Sequence, residues 1–159
     1  MLFRSSDGIV HAVLAGWQLN AIASYHSGTP FTVSNGSARS NTGGGDRPNQ
    51  ISDPELSNPT IAQWFDVTAF VAQPINTVGN TGSNTLHGPS FKRIDFSMFK
   101  NLSVNDQTRI QLRAEIFNLF NTPSFANPAS AFGNAGFGTI TSTANNIARQ
   151  MQFAVKLLF

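Results

Sequence analysis

His11, His26 and His87 are the chain's three imidazoles, and there is no cysteine. A metal site needs several N, S or O ligands converging at close spacing. No carboxylate stands at such spacing from any of the three, so they are expected to be solvated histidines of loops or of a wet interior. Asp46, Asp53, Glu55 and Asp66 fall within one long Gly- and Asn-rich stretch. They could line a ligand mouth, but the plainer expectation is ordinary loop charge. "NTGGGDRP" has the glycines of a phosphate cradle but not the Lys-Ser/Thr that completes one, and reads as a flexible loop. No Ser or Thr has the His/Asp partnership that activates a nucleophile. "NGS" at Asn35 and "NLS" at Asn101 match glycosylation acceptors by chance. The residues imply no catalytic, cofactor-binding or metal-binding group, and no enzyme.

The charges that do follow a pattern are Asp95, Arg109, Arg113 and Glu115, with Gln111 among them. They alternate with apolar residues, and alternation is the mark of a strand with two unlike faces. In "RIDFSMFKNL", Ile94, Phe96, Met98 and Leu102 oppose Arg93, Asp95, Ser97, Phe99 and Asn101, with Lys100 on the apolar face. In "TRIQLRAEIF", Ile110, Leu112, Ala114 and Ile116 oppose Arg109, Gln111, Arg113, Glu115 and Phe117. "WQLNAIASYH" sets Trp17, Leu19, Ala21, Ala23 and Tyr25 against Gln18, Asn20, Ile22, Ser24 and His26. "RQMQFAVKLLF" sets Met151, Phe153, Val155, Leu157 and Phe159 against a largely polar or small face.

Composition narrows the setting of these strands. Of 159 residues, 40% are hydrophobic and only 11% charged, with fourteen Phe, against a usual charged share of about 25%. So little charge makes a poor cytosolic surface, and so many aromatics oppose disorder. A net charge of +2 without a Lys/Arg run excludes a nucleic-acid footprint. No run of apolar residues is long enough for a transmembrane helix. His11 and Gly8 interrupt the N-terminal apolar run, and no convincing cleavage site follows, so it is not expected to be a signal peptide.

The expected strands lie near 17–33, 92–102, 108–118 and 149–159, after a periplasmic-side lead-in at 1–16. Long loops occupy 34–91 and 119–148, whereas Asn105-Asp106 makes a tight turn. Long loops at one end and a short turn at the other suit an outer-membrane barrel. From Trp17 to Tyr25 is roughly 20 Å along a tilted strand, close to the roughly 25 Å apolar band between aromatic girdles. Lys100 is expected to snorkel to the interface. Asp95, Arg109, Gln111, Arg113 and Glu115 would face the lumen, and Leu19, Phe96, Leu112 and Phe153 the lipid. The tight turn allows few registers. Asp95 opposite Arg113 is expected over Asp95 opposite Glu115, because like charges directly opposed are unfavourable. Arg109 and Arg113 would balance lumen charge, or contact substrate or a plug.

"GWQLNAIASYHSGTPFTV", "QWFDVTAF", "HGPSFKRIDFSMFKNL", "RIQLRAEIFNLFNTPSFANP" and "FGTITSTANNIARQMQFAVKLLF" together resemble the C-terminal end of TonB-dependent outer-membrane receptors. The nearest resemblance is to the Oar-like type with a carboxypeptidase-regulatory-like domain. It covers nearly the whole chain from Gly16. "WFDVTAF" departs from it, since relatives more often carry Asn-Pro after the Trp-Phe. The resemblance implies an all-β antiparallel meander of about four long strands, part of a transmembrane β-barrel in a Gram-negative outer membrane, with long extracellular loops. It implies that Phe153, Val155, Leu157 and Phe159 form the signal read by the barrel-assembly machinery. It also implies further strands, a plug and a TonB contact outside this chain. Small barrels need about eight strands, so the chain is expected to be a fragment of a transporter. A soluble secreted β-sandwich for binding or adhesion, and a subunit of an oligomeric barrel, are the alternatives. A sandwich would cover its apolar faces with a second layer, and a barrel wall would leave them bare.

Overall fold

The computed structural model describes residues 13–105, 107–144 and 148–159. In chain order the strands are β1 (Trp17–His26), β2 (Pro30–Phe31), β3 (Ser34–Asn35), β4 (Asn49–Gln50), β5 (Phe70–Val71), β6 (Leu86–His87), β7 (Phe91–Ser103), β8 (Arg109–Phe117), β9 (Ala131–Phe132) and β10 (Gln150–Leu158). The fold is all-β. The long strands form one sheet in the order β1-β7-β8-β10. The chain divides into two compact units. One takes its described residues from Met1–Tyr25, Lys92–Pro123 and Ile147–Phe159, and the other from His26–Phe91 and Ser124–Asn146.

In the strand unit the alternating segments became the long strands, as the two-residue period dictates. β7 and β8 pair antiparallel from Phe96 opposite Ile116 to Ser103 opposite Arg109. β8 and β10 pair antiparallel from Phe117 opposite Gln150 to Arg109 opposite Leu158. β1 also runs antiparallel to β7. The Asn101 amide donates to the Gly16 carbonyl at 2.9 Å, Lys100 lies 5.0 Å from the Trp17 ring and Lys92 lies 6.0 Å from the Tyr25 ring.

The register corrects the expectation for Asp95. Phe99, not Asp95, stands opposite Arg113. The turn decides this. The Val104 amide donates to the Thr108 carbonyl at 2.9 Å. The Asn105 side chain accepts from the amides of Gln107 at 3.0 Å and Thr108 at 2.6 Å. That Asx geometry fixes the hairpin before any side-chain charge can choose a partner. Asp106, the other expected turn residue, lies outside the described residues.

Two further expectations are corrected. The first long strand ends at His26, not near 33, and Pro30–Phe31 pairs instead with Leu86–His87. Gly28 passes so close to Gly88 that a Cβ on it would meet the Gly88 carbonyl oxygen at 1.8 Å. The segments expected as long loops are in fact organised around their own apolar core. Phe31, Val33, Phe65, Ala69, Phe70 and Leu86 are buried together. Phe65, only 1% exposed, packs edge-on against Phe70 at 5.9 Å and Phe137 at 5.1 Å. Gly138 reaches this cluster at φ +83°, where a Cβ would meet Val67 at 2.6 Å.

Acidic side chains hold the backbone of this unit. Asp46 follows the glycines of "NTGGGDRP", but it is tied down. Its carboxylate accepts from the Ser40 hydroxyl and from the amides of Arg39 and Ser40, the last at 2.8 Å. Asp66 caps the 3-10 helix Val67–Ala69, accepting from the Thr68 amide at 2.9 Å and its hydroxyl at 2.7 Å. Asp53 accepts from the Glu55 amide at 3.0 Å. The Ser40 hydroxyl, then the Arg39 and Ser40 amides, hold the Asp46 carboxyl below its ordinary 3.8, against the opposing pull of burial. Thr68 lowers Asp66 in the same way.

Two outcomes follow for this unit. Phe65→Ala leaves a void in a packed aromatic cluster and should cost about 3–5 kcal/mol. Exposed Ile75→Ala should stay within about 0.5 kcal/mol. Trp64, which packs against the core, reports both by fluorescence during unfolding. The contribution of Asp46 is full above the unfolded value near 3.8 and disappears as pH falls through its lower folded value. Asp46→Asn should therefore be less stable than wild type at neutral pH, and the gap should close on acidification. A gap that persists in strong acid would show that the carboxylate's charge is not what matters.

Candidate functional site

The register places every apolar alternation of the long strands on one face. Across β7, β8 and β10 the rows run Phe96-Ile116-Met151, Met98-Ala114-Phe153, Lys100-Leu112-Val155 and Leu102-Ile110-Leu157. Trp17, Leu19 and Tyr25 continue this face along β1. No second layer covers it among the described residues of the edge strands. Phe153 is 77% exposed, Val155 73% and Leu19 61%, and every residue of β10 is exposed. This is a bare apolar wall, and it removes the sandwich expectation, which required a covering layer.

Trp17 and Tyr25 stand at the two ends of β1, each beside a lysine of β7, Lys100 and Lys92 respectively. Lys100 does not simply snorkel. It is 5% exposed and donates to the carbonyls of Val13, at 3.0 Å, and Ala15. A charge on the apolar face is thereby given backbone carbonyls and an aromatic ring in place of water.

The opposite face carries Asp95, Arg109, Gln111, Arg113 and Glu115, linked laterally. Arg93 bonds Asp95 at 2.6 Å, and the Asn118 amide donates to the same carboxylate at 2.8 Å. Arg113 sits 4.6 Å from the centre of the Phe99 ring and 3.6 Å from Glu115. Glu115 also accepts from Gln152, and Gln111 donates to Asn101 at 2.9 Å. Arg109 stands opposite Ser103 and Leu158 at the hairpin end. The residues of this face form short-range pairs along and across strands. Such pairs satisfy polar groups without a converging reactive constellation.

The histidines are not brought together. His26 ends β1, His87 lies in β6, and His11 lies outside the described residues. Among the described residues no group of three or more His, Asp or Glu could hold a metal. Asp46, Asp53 and Asp66 are turned to local backbone amides, not to a shared mouth. Sequence reasoning missed a cleft of about 530 Å³ lined in part by Thr29, Phe91, Phe125 and Asn127. Its residues come from separated segments without periodicity. The close-approach glycines Gly28 and Gly88 were the one signal of it in the sequence.

Comparison with curated proteins and with solved structures finds no match. The family model described as "Outer membrane beta barrel domain" matches residues 2–152. That span includes three of the long strands entirely and the start of the fourth. With its antiparallel sheet and uncovered apolar face, the chain belongs to the outer membrane beta barrel domain family, and its sheet is a section of barrel wall in the bacterial outer membrane.

Proposed function

We propose that this section of wall belongs to a TonB-dependent receptor of the Oar-like type, importing its substrate with energy supplied through a plug that other parts of the receptor provide. The observation that carries the wall reading is the bare apolar face running across β1, β7, β8 and β10. The receptor type rests on the ordered motifs from "GWQLNAIASYH" to "RQMQFAVKLLF". Leu19, Phe96, Leu112 and Phe153 face lipid, and Asp95, Arg109, Gln111, Arg113 and Glu115 face the lumen. Trp17 and Tyr25 mark the two interfaces, where amphipathic aromatics gain from one apolar and one wet side. The short turn after Ser103 lies on the periplasmic side, and the segments between β1 and β7 and between β8 and β10 lie outside the cell. The row Phe153, Val155, Leu157 and Phe159 is the one the barrel-assembly machinery reads. The chain supplies wall, external structure and assembly information, not chemistry.

Neighbouring residues at one depth separate the two faces. Phe153→Arg places a cation in hydrocarbon and should cost about 2–4 kcal/mol near the midplane. It should reduce the heat-resistant, assembled barrel in outer-membrane fractions. Gln152→Arg, opposite Glu115, points to the other face and should assemble near wild-type levels. The reverse order would overturn the face assignment. For the receptor type, outer membranes carrying the protein with the rest of its barrel and plug are cross-linked in living cells. TonB should be recovered with the receptor. A correctly assembled barrel that never captures TonB would refute the transporter reading and leave the wall intact.

A further inference from the structure

The cleft in the second unit is built from backbone contacts that leave little freedom. The Gly88 amide donates to the Thr29 carbonyl at 2.9 Å, the Ala126 amide to Ser142 at 3.0 Å and the Ala144 amide to Ser124 at 2.8 Å. A Cβ on Gly88 would meet the Asn127 Oδ1 at 2.0 Å, so glycine there lets the Asn127 side chain come close. Thr29 donates its hydroxyl to that same Oδ1 at 2.8 Å, which turns the Asn127 NH₂ group into an offered donor.

The lining has a definite chemistry. Half-buried Phe91 and Phe125 line the cleft with aromatic rings, and the Phe91 ring lies 5.7 Å from that of His26, also a lining residue, tilted by 38°. Thr29, Ser124 and Asn127 bring hydroxyl and amide groups to the same lining. No Lys, Arg, Asp or Glu is among the lining residues described. A phosphate or carboxylate ligand would need charged donors, and a cation would need carboxylates or an electron-rich cage. A peptide strand would present its polar groups as a row, for a sheet edge to read. Here hydroxyl and amide groups share the lining with two phenyl rings. That suits a compact neutral ligand, apolar on its face and hydroxylated round its rim. The volume of about 530 Å³ falls in the range of small-molecule sites.

We propose that this cleft binds a neutral saccharide, with the C–H face of a sugar ring against Phe91 and Phe125 and its hydroxyls bonded by Thr29, Ser124 and Asn127. Polarised C–H groups favour the negative face of an aromatic ring. The proposal names a ligand class for the receptor reading above. It rests on that reading only for the cleft's exposure to the medium, since binding does not require transport.

The test uses the full chain in amine-oxide micelles, because sugar-headed detergents would compete. Saturation-transfer NMR is run with maltose, lactose and diacetylchitobiose as neutral probes, and with glucuronate and a neutral tripeptide as contrasts. At least one neutral disaccharide should bind saturably, and glucuronate should not. Phe91→Ala and Asn127→Ala should each weaken binding about tenfold, while Phe91→Tyr should retain it. Trp64, outside the cleft lining, confirms by an unchanged unfolding midpoint that each variant's unit is folded. Overturning results are no saturable saccharide binding by the folded wild-type chain, equal binding by the folded Ala variants, or preference for the tripeptide or glucuronate. TonB capture without saccharide binding would sink this proposal alone. Saccharide binding without TonB capture would sink the receptor reading alone.

Discussion

Backbone pairing is the constraint on which the sheet depends. Hydrocarbon offers no water to an open amide or carbonyl, so each unpaired group there costs several kcal/mol. The strands meet this by running long and without interruption: β7 spans thirteen residues, and β8 and β10 nine each. Prolines are absent from all of them, and Pro30 falls in a two-residue strand of the other unit. Once pairing is continuous, side chains have only two directions. The even register set at the Val104–Thr108 turn then sends the apolar alternations of β7 and β8 to the same side, and the β8–β10 pairing adds that of β10.

That order of decision explains the polar face. Register is spent on backbone and turn geometry, so charges take the partners that remain within reach. Asp95 receives Arg93 from its own strand and a backbone amide from Asn118. Arg113, placed opposite Phe99, lies over that ring and shares Glu115 with Gln152. Partly exposed pairs of this kind contribute about 1 kcal/mol or less each. They are too weak to move a hairpin whose turn already fixes its ladder. Lys100 follows the same logic on the apolar face: it finds carbonyls and an aromatic ring locally instead of shifting the strand.

The long strands were legible in the sequence because their apolar residues repeat every second position for most of their length. Cross-strand identity was less legible. Charge alone points Asp95 to Arg113, whereas Asn105 and the Thr108 amide and carbonyl determine the register. The second unit was nearly invisible for a different reason. Its core residues, Phe31 and Val33, Phe65 and Phe70, and Leu86, come from three separated stretches and sit on strands only two residues long or on none. No periodicity survives at that length, and Gly, Asn and Pro between them imitate loop composition. The excess of Phe was the residual signal, because long solvated loops gain nothing from so many aromatics.

The two units therefore answer to different rules of substitution. In the sheet, a one-residue insertion between Ser103 and Arg109 would move the β7–β8 pairing by one position and turn a whole strand inside out. In the second unit no long ladder imposes parity. Its core is a cluster of rings meeting edge to face, and its turns are closed by Asp46, Asp53 and Asp66 through bonds to nearby amides. Residues that neither join that cluster nor close those turns are free of both constraints. Thr29 and Asn127 carry cleft chemistry from positions where a change of side chain alters what is bound without altering which face meets the membrane. A barrel wall can thus keep one register while the specificity of its appended segments diverges.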